Sequence, residues 1–526
     1  MKIATKKAAK SDKTRSDKTK KVSARKPPVA RKPAVEKTPS PKTQTRPFPA
    51  EGSGRGTTHG TGQLQIRMYR VGFGDFFLLT VPSTPDPLHV LIDCGVTKGK
   101  TGKGDIGTIK DAVADMAAYT GWKLALIIVT HRHMDHIIGF SRCAEFQNFK
   151  GKVDAIWMPA WEKEYDSEIS KFQEELTALA LDVQSHLATA ADNMPDGPEM
   201  LAMLENAIGP EMGMAGTGGG TNAASLNLLK HGLGVEPKYY YKGQSPELPK
   251  PLVDAGLAAK ILGPPPPDAT AFMRLMDLKK GVGQYLDAST GTSVNPKRFR
   301  PFRAGSEGEA SDYLKSAFWE WEPRNPEEKS DANYIPWRQL ENAVSDAQPA
   351  VLLTAVQQLD KFLNNQSLVV LFTFEGKKLL FAGDAQAGNW EYWLYDGDQP
   401  TKTPSDKLGN TGKEVLGKLD FYKVGHHGST NATPIAVVDA MNTAGLAAMC
   451  STQPDSFGSA ENKSEVPRIP LMEALGKRSA LVRSDQIPVK VKGKPEVPPT
   501  QGTSPELSKP KVGNWRIGPC YIDYVL

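Results

Sequence analysis

Cysteine is nearly absent: four of 526 residues, Cys94, Cys143, Cys450 and Cys520, lie far apart with no CxxC pair. That excludes a disulfide framework and a zinc knuckle and leaves reduced, buried thiols. Long apolar runs are missing too. The longest, residues 124–129, falls far short of the ~20 residues needed to cross a bilayer. No apolar stretch follows the first lysines, so nothing reads as a secretory signal and the expected location is the cytoplasm. With 39% hydrophobic and 24% charged residues, the chain has the composition of a soluble protein of roughly two to four domain equivalents.

Acidic residues are scarce in the first fifty positions. Sixteen Lys or Arg face only Asp12, Asp17 and Glu36 there, a net of +13, so the rest of the chain carries −7 within a total of +6. A basic, Pro-rich segment with few large apolar residues cannot offset its ordering entropy, and residues 1–61 are expected to be a disordered tail. Such a tail either tethers the protein to a polyanion or simply keeps it in solution.

From residue 62 the pattern becomes that of a folded body. Leu64, Ile66 and Met68 alternate as in a half-buried strand. Residues 76–81 and 89–92 form a hairpin around a Pro-rich turn. A helix over 110–119 leads to a buried strand at 124–129, and 154–157 is another strand. Residues 162–191 have the pattern of a long amphipathic helix, followed by a Gly-rich loop at 216–220. Strands return at 258–262, 367–374, 378–382, 421–424 and 447–451. The expected fold is α/β, a four-layer αββα sandwich, over residues 62–526, with helical and irregular insertions at about 162–225 and 264–349.

Histidine is also rare, which gives its clustering weight: of nine in the chain, three fall within the six positions 131–136, directly after the apolar strand. A lone histidine is usually structural. Three imidazoles and a carboxylate on a loop leaving a rigid strand can instead surround two divalent cations, with His131 and His133 serving one and Asp135 and His136 the other.

This Thr130-His131-Arg132-His133-Met134-Asp135-His136 run is an HxHxDH motif, and the chain resembles the metallo-β-lactamase fold superfamily. Further motifs stand in the expected order: Asp93 in Leu91-Ile92-Asp93-Cys94-Gly95, Asp384 in Phe381-Ala382-Gly383-Asp384, and His426-His427-Gly428-Ser429. The resemblance implies that Asp384 bridges two metals, that His427 completes the second site, and that Asp93 orients ligands by hydrogen bonding. It is closest to the hydrolase domain of ComEC-type DNA-uptake competence proteins, through Val71-Gly72-Phe73-Gly74-Asp75, Asn364-Asn365-Gln366-Ser367, Lys423-Val424-Gly425 with the His pair, and Val482-Arg483-Ser484-Asp485-Gln486. The match runs discontinuously from about residue 63 to 486. Two departures stand out. His133 is kept where that subfamily often has aspartate. The third-motif histidine of the wider fold has no counterpart, since His186 falls in a helix pattern and His231 at a helix C-terminus, which leaves the first metal one protein ligand short.

The chemistry implied is hydrolysis by a metal-bound hydroxide, with two Zn or Mn ions as cofactors, Asp135 orienting the nucleophile and His426 protonating the leaving group. Phosphodiesters, lactones and thioesters are all open to such a centre. One segment favours nucleic acid: Lys297, Arg298, Arg300 and Arg303 interleave with Phe299 and Phe302, a composition suited to phosphate contact and base stacking. The expected function is a DNA phosphodiesterase. A small-molecule hydrolase (a nucleotide phosphodiesterase, phosphorylcholine esterase or lactonase) and a binding or scaffold protein that keeps the fold remain as alternatives.

Overall fold

The computed structural model describes residues 62–97, 108–163, 221–269, 360–396, 408–442, 444–453, 465–486, 511–512 and 514–526, together with Ile169, Leu204, Phe272, Ser456 and Phe457. His59–Leu526 forms one compact unit. The expected tail, the long helix over 162–191 apart from Glu162, Lys163 and Ile169, and the insertion beyond residue 269 apart from Phe272 lie outside the described residues.

Strands β1 (Gln65–Tyr69), β2 (Phe76–Val81), β3 (Leu88–Cys94), β4 (Leu126–Ile128), β5 (Ile156–Pro159) and β6 (Lys238–Tyr240) belong to a nine-stranded sheet among the described residues. A second sheet of six strands contains β7 (Leu257–Gly263), β8 (Val369–Phe374), β9 (Lys377–Phe381), β10 (Phe421–Lys423), β11 (Ala447–Cys450) and β12 (Ala480–Arg483). The first sheet is completed beyond β1 by β13 (Lys511–Val512), β14 (Trp515–Ile517) and β15 (Tyr521–Val525), in the order β13-β14-β15-β1-β2-β3-β4-β5-β6. The protein is thus a mixed α/β fold with two sheets and helices.

The continuous apolar runs have a simple cause. Side chains of a strand point alternately to opposite faces, so a run without polar breaks marks a strand covered on both sides. In β2, Phe77 and Leu79 join a core shared with Phe372, Phe381 and Met449 of the other sheet. Leu78 points the other way, into a core with Val113 and Met116 of α1 (Ile109–Tyr119) and Ile137 and Phe140 of α2 (Met134–Arg142). On the far side of the second sheet, Leu371 and Leu380 pack with Trp390 and Trp393 of α3 (Ala387–Leu394) and Leu471 and Leu475 of α4 (Ile469–Arg478).

Two expectations are corrected. β1 is not half-buried, since Ile66, Arg67, Met68 and Tyr69 are all buried. Arg67 is accommodated by Asp523 at 2.8 Å and Asp115 at 2.9 Å and lies over the Tyr521 ring, so a charged residue occupies an interior position without loss of partners. The metal-ligand motif is also not all loop. His133 is the residue that precedes α2, and Asp135 and His136 sit in the first helical turn.

β3 and β4 run parallel, joined through α1, and β9, β10, β11 and β12 run parallel in the second sheet. Asp93, Thr130, Asp384, His427 and Ser451 all lie at the C-terminal ends of these strands, where open parallel sheets leave a crevice for ligands. No helix among the described residues is long and apolar enough to cross a membrane.

Candidate metal centre

The centre is built by close approach. A β-bulge where β2 meets β3 pairs Phe76 with Cys94 and Phe77 with Ile92, leaving Asp93 outside the ladder with φ +56°. The chain then crosses the first turn of α2 at Gly95, where a Cβ would stand 2.1 Å from the Asp135 carbonyl carbon. Only glycine admits that contact. Asp75 N donates to Asp135 O at 2.8 Å, which fixes the turn further.

Asp93 organises the histidine loop. Its Oδ1 accepts from Thr130 N at 2.8 Å and its Oδ2 from Thr130 Oγ1 at 2.6 Å. The same Oδ2 lies 2.7 Å from His136 Nδ1. An aspartate at this distance fixes the tautomer, with the proton on Nδ1, and turns Nε2 inward to 3.1 Å from Asp384 Oδ2. His427 repeats the device: Nδ1 donates to Ser451 O at 2.9 Å, and Nε2 faces Asp135 Oδ2 at 3.0 Å and Asp384 Oδ2 at 3.6 Å. His131 does so a third time, Nδ1 lying 3.1 Å from Thr130 Oγ1, whose own hydrogen goes to Asp93.

Donor atoms of Asp135, His136, Asp384 and His427 all lie within 4.8 Å of one another. Two ligands held about 2.1 Å from one cation, at angles between about 90° and 110°, stand about 3.0–3.4 Å apart. The 3.0, 3.1 and 3.6 Å separations here match that spacing closely. A neutral imidazole whose proton sits on Nδ1 offers only a lone pair at Nε2, which a carboxylate oxygen repels. The arrangement is therefore stable with a second proton on each ring or with a cation among the four. Nε2 of His131, His133 and His136 is buried and makes no hydrogen bond among the described residues. Buried polar atoms are rarely left so, and the donor set fits a divalent cation.

Electrostatics divide the cluster. Burial opposes charging His136, but Asp384 and Asp93 outweigh it and hold the imidazole well above its usual range. His427 is raised likewise by Asp384, Asp75 and Asp135 against the same burial. Burial would raise Asp384, yet His136, His427 and Lys423 keep it well below the usual carboxylate range. His131 and His133 behave oppositely. Burial, with the neighbouring imidazoles, pushes His131 well down, and burial brings His133 to about 4.

Two buried charges lie behind the ligands. The Lys423 ammonium contacts the Asp75 carboxylate, donates to Gly383 O at 3.1 Å and lies 3.6 Å from Asp384 Oδ1. Asp75 in turn is 3.7 Å from His136 Nδ1 and 3.6 Å from His427 Nδ1. The second-sheet loops are fixed tightly as well. Gly383 has φ +54°, and a Cβ there would stand 2.8 Å from that of Thr130. His426 and His427 both occupy the left-handed region, at φ +43° and +51°, a cost that non-glycine residues bear mainly where a site demands it.

The structure thus brings His131, His133, Asp135, His136, Asp384, His427 and Asp93 to one place. His426 stands at the rim, its backbone N donating to Asp384 Oδ1 at 3.0 Å and its Nδ1 lying 3.0 Å from Asn431 Oδ1. Lys297, Arg298, Phe299, Arg300, Phe302 and Arg303 lie outside the described residues, as does His186. His231 is exposed at the end of a π-helical turn, Leu228–Gly232. Asp75 and Lys423 stand in the sequence motifs without a role of their own, and the structure sets them directly behind His136, Asp384 and His427. A lysine ending the apolar run Phe421-Tyr422 was the available signal for the second.

No protein-family model matches the chain, and no curated protein matches it.

Proposed function

We propose that the chain is a metal-dependent hydrolase of the metallo-β-lactamase type, akin to the hydrolase domain of ComEC-like proteins, with the two sheets and their outer helices forming a four-layer αββα sandwich. Asp135, His136, Asp384 and His427 would hold one divalent cation, and His131 and His133, with Asp384 shared, a second. The observation that carries this reading is the threefold use of Nδ1: His131, His136 and His427 each engage an outer partner there and turn Nε2 inward.

When bound, such cations, Zn or Mn, supply an activated water at neutral pH and neutralise charge developing on a phosphoryl or acyl oxygen. The chain's own groups do the rest. Asp93 locks the His136 ring, and Lys423 balances Asp75 and Asp384. His426 is held by burial below its ordinary proton affinity. Nδ1 lies 2.7 Å from Ser429 Oγ, whose hydrogen goes to Asn431 Oδ1, and 3.0 Å from Asn431 Oδ1 itself, so the proton of the neutral ring sits on Nδ1 and Nε2 would accept the proton released by the attacking water and pass it to the leaving-group oxygen.

DNA phosphodiester bonds are the proposed substrate, supported by the basic tail and the Lys297–Arg303 segment. Purified protein incubated with single-stranded and duplex DNA and Mn or Zn should cleave. His133→Ala and Asp384→Ala should abolish cleavage, and loss of residues 1–60 should weaken DNA binding and flatten its salt dependence. Cleavage surviving in both variants would refute the reading. A small-molecule hydrolase would turn over model esters with or without the tail, and a scaffold would bind under one ion per chain.

A further inference from the structure

The four residues around Asp384 account for one cation, but His131 and His133 remain a pair without a third donor of their own. Their rings stand 4.5 Å apart, and both Nε2 atoms are buried without a hydrogen bond among the described residues. Among the described residues no further histidine stands beside them: His231 is exposed on a separate turn, and His426 stands at the rim, where its Nδ1 lies 3.0 Å from Asn431 Oδ1.

A carboxylate comes instead from the residues just before Asn364-Asn365-Gln366-Ser367. Residues 360–365 are helical, and Asp360 Oδ1 lies 3.5 Å from His133 Nε2. That is close to the separation, about 3.0–3.4 Å, of two ligands sharing one cation. The contact is not an accident of a loose surface side chain, because the chain just after it is built into the centre. Ser367 Oγ lies 3.4 Å from His131 Nδ1 and accepts from Asp384 N at 3.1 Å, and Leu368 N donates to Thr130 O at 2.8 Å. Asn364, Asn365, Gln366 and Ser367 are buried.

We propose that Asp360 is the missing protein ligand of the first cation, completing the His131, His133 and Asp384 set with a carboxylate where a third imidazole would otherwise stand. This rests on the metal-centre reading above. Its consequence is chemical: an oxygen donor in place of nitrogen makes the first site harder, which suits Mn better than a nitrogen-rich set that favours Zn.

Metal content decides it. Purified protein dialysed against Mn and measured by elemental analysis should carry two ions per chain. Asp360→Asn should carry one, with the remaining ion lost in Asp384→Asn. Asp360→His should return to two ions while shifting preference from Mn toward Zn in competition. Two ions in Asp360→Asn would overturn the proposal and leave the metal centre standing. One ion in the unaltered protein, lost in Asp384→Asn, would do the same, whereas no ion at all would overturn both. Should Asp360→Asn fail to fold, Asp360→His still decides: two ions with the Zn shift support the assignment, and one ion overturns it.

Discussion

The two sides of the centre are made from the same residue types and behave as opposites. Around Asp384, carboxylates drive His136 and His427 toward the charged state, so that side is satisfied by protons when no metal is present. Around His133, burial drives both imidazoles neutral. The difference is one of neighbours, not ligands. His136 and His427 have Asp75 and Asp93 behind them, whereas His131 backs onto the hydroxyls of Thr130 and Ser367. One side must shed protons from two imidazoles to take up a cation; the imidazoles of the other are already in the ligating state.

The largest consequence is in pH. On the carboxylate-rich side each of two imidazoles must shed a proton, so its apparent metal affinity should fall by about two decades per pH unit below the raised values of His136 and His427. The His131/His133 side should show a slope of only about one decade per pH unit below about 7, where Asp360 takes up a proton, and should steepen only as the pH nears about 4, where His133 charges. Calorimetric titration at several pH values, in buffers of different ionisation enthalpy, counts the protons released. Equal slopes for both ions would erase the distinction. Stability of the metal-free protein carries the same signature: raised histidines stabilise it below their ordinary value, near pH 6.5, and that contribution disappears as pH rises through their folded values. Chelated protein should therefore weaken toward alkaline pH, and metal-loaded protein should not.

Next in size is the charge behind the ligands. Lys423→Met leaves Asp75 buried without its cation and should cost about 3–5 kcal/mol in denaturant unfolding of the metal-free protein. His131→Leu removes an Nε2 with no hydrogen-bond partner among the described residues and one neutral contact, Nδ1 to Thr130 Oγ1, and should cost only about 1 kcal/mol. Adding Asp75→Asn to Lys423→Met should recover part of the loss. Similar costs for the two single changes would show that the sides are not electrostatically distinct.

How much of this was legible in the sequence follows from where each contact is made. Three histidines in six positions are a local signal, and the strands carrying Asp93, Asp384 and His427 were readable because their apolar runs end at those residues. Asp360 has no such marking. It lies four residues before the Asn364-Asn365-Gln366-Ser367 motif, and nothing in that motif says that the chain leading into it brings a carboxylate to His133. The buried state of β1 was hidden for the same reason, since Arg67 looks exposed until Asp523 arrives from the far end of the chain. The strands at Trp515–Ile517 and Tyr521–Val525 are short, and their place beside β1 is fixed by pairing with it.

The smallest effect tests how the carboxylate-rich side is aimed. Asp93 uses both oxygens, one on Thr130 N and the other shared by Thr130 Oγ1 and His136 Nδ1. Asparagine keeps one oxygen and presents an N–H₂ in place of the other. Either Thr130 N meets a donor, or His136 loses its acceptor and with it the tautomer that turns Nε2 toward Asp384. Outer partners of ligating histidines are typically worth about 10–100-fold in metal affinity. Asp93→Asn should therefore weaken the ion held by Asp135, His136, Asp384 and His427 by about that factor, read by competition with a chromophoric chelator. The ion at His131 and His133 should move less, because His131 reaches Asp93 only through the Thr130 hydroxyl. An equal loss at both ions would mean that Asp93 supports the loop as a whole, and that the two sides share one support instead of two.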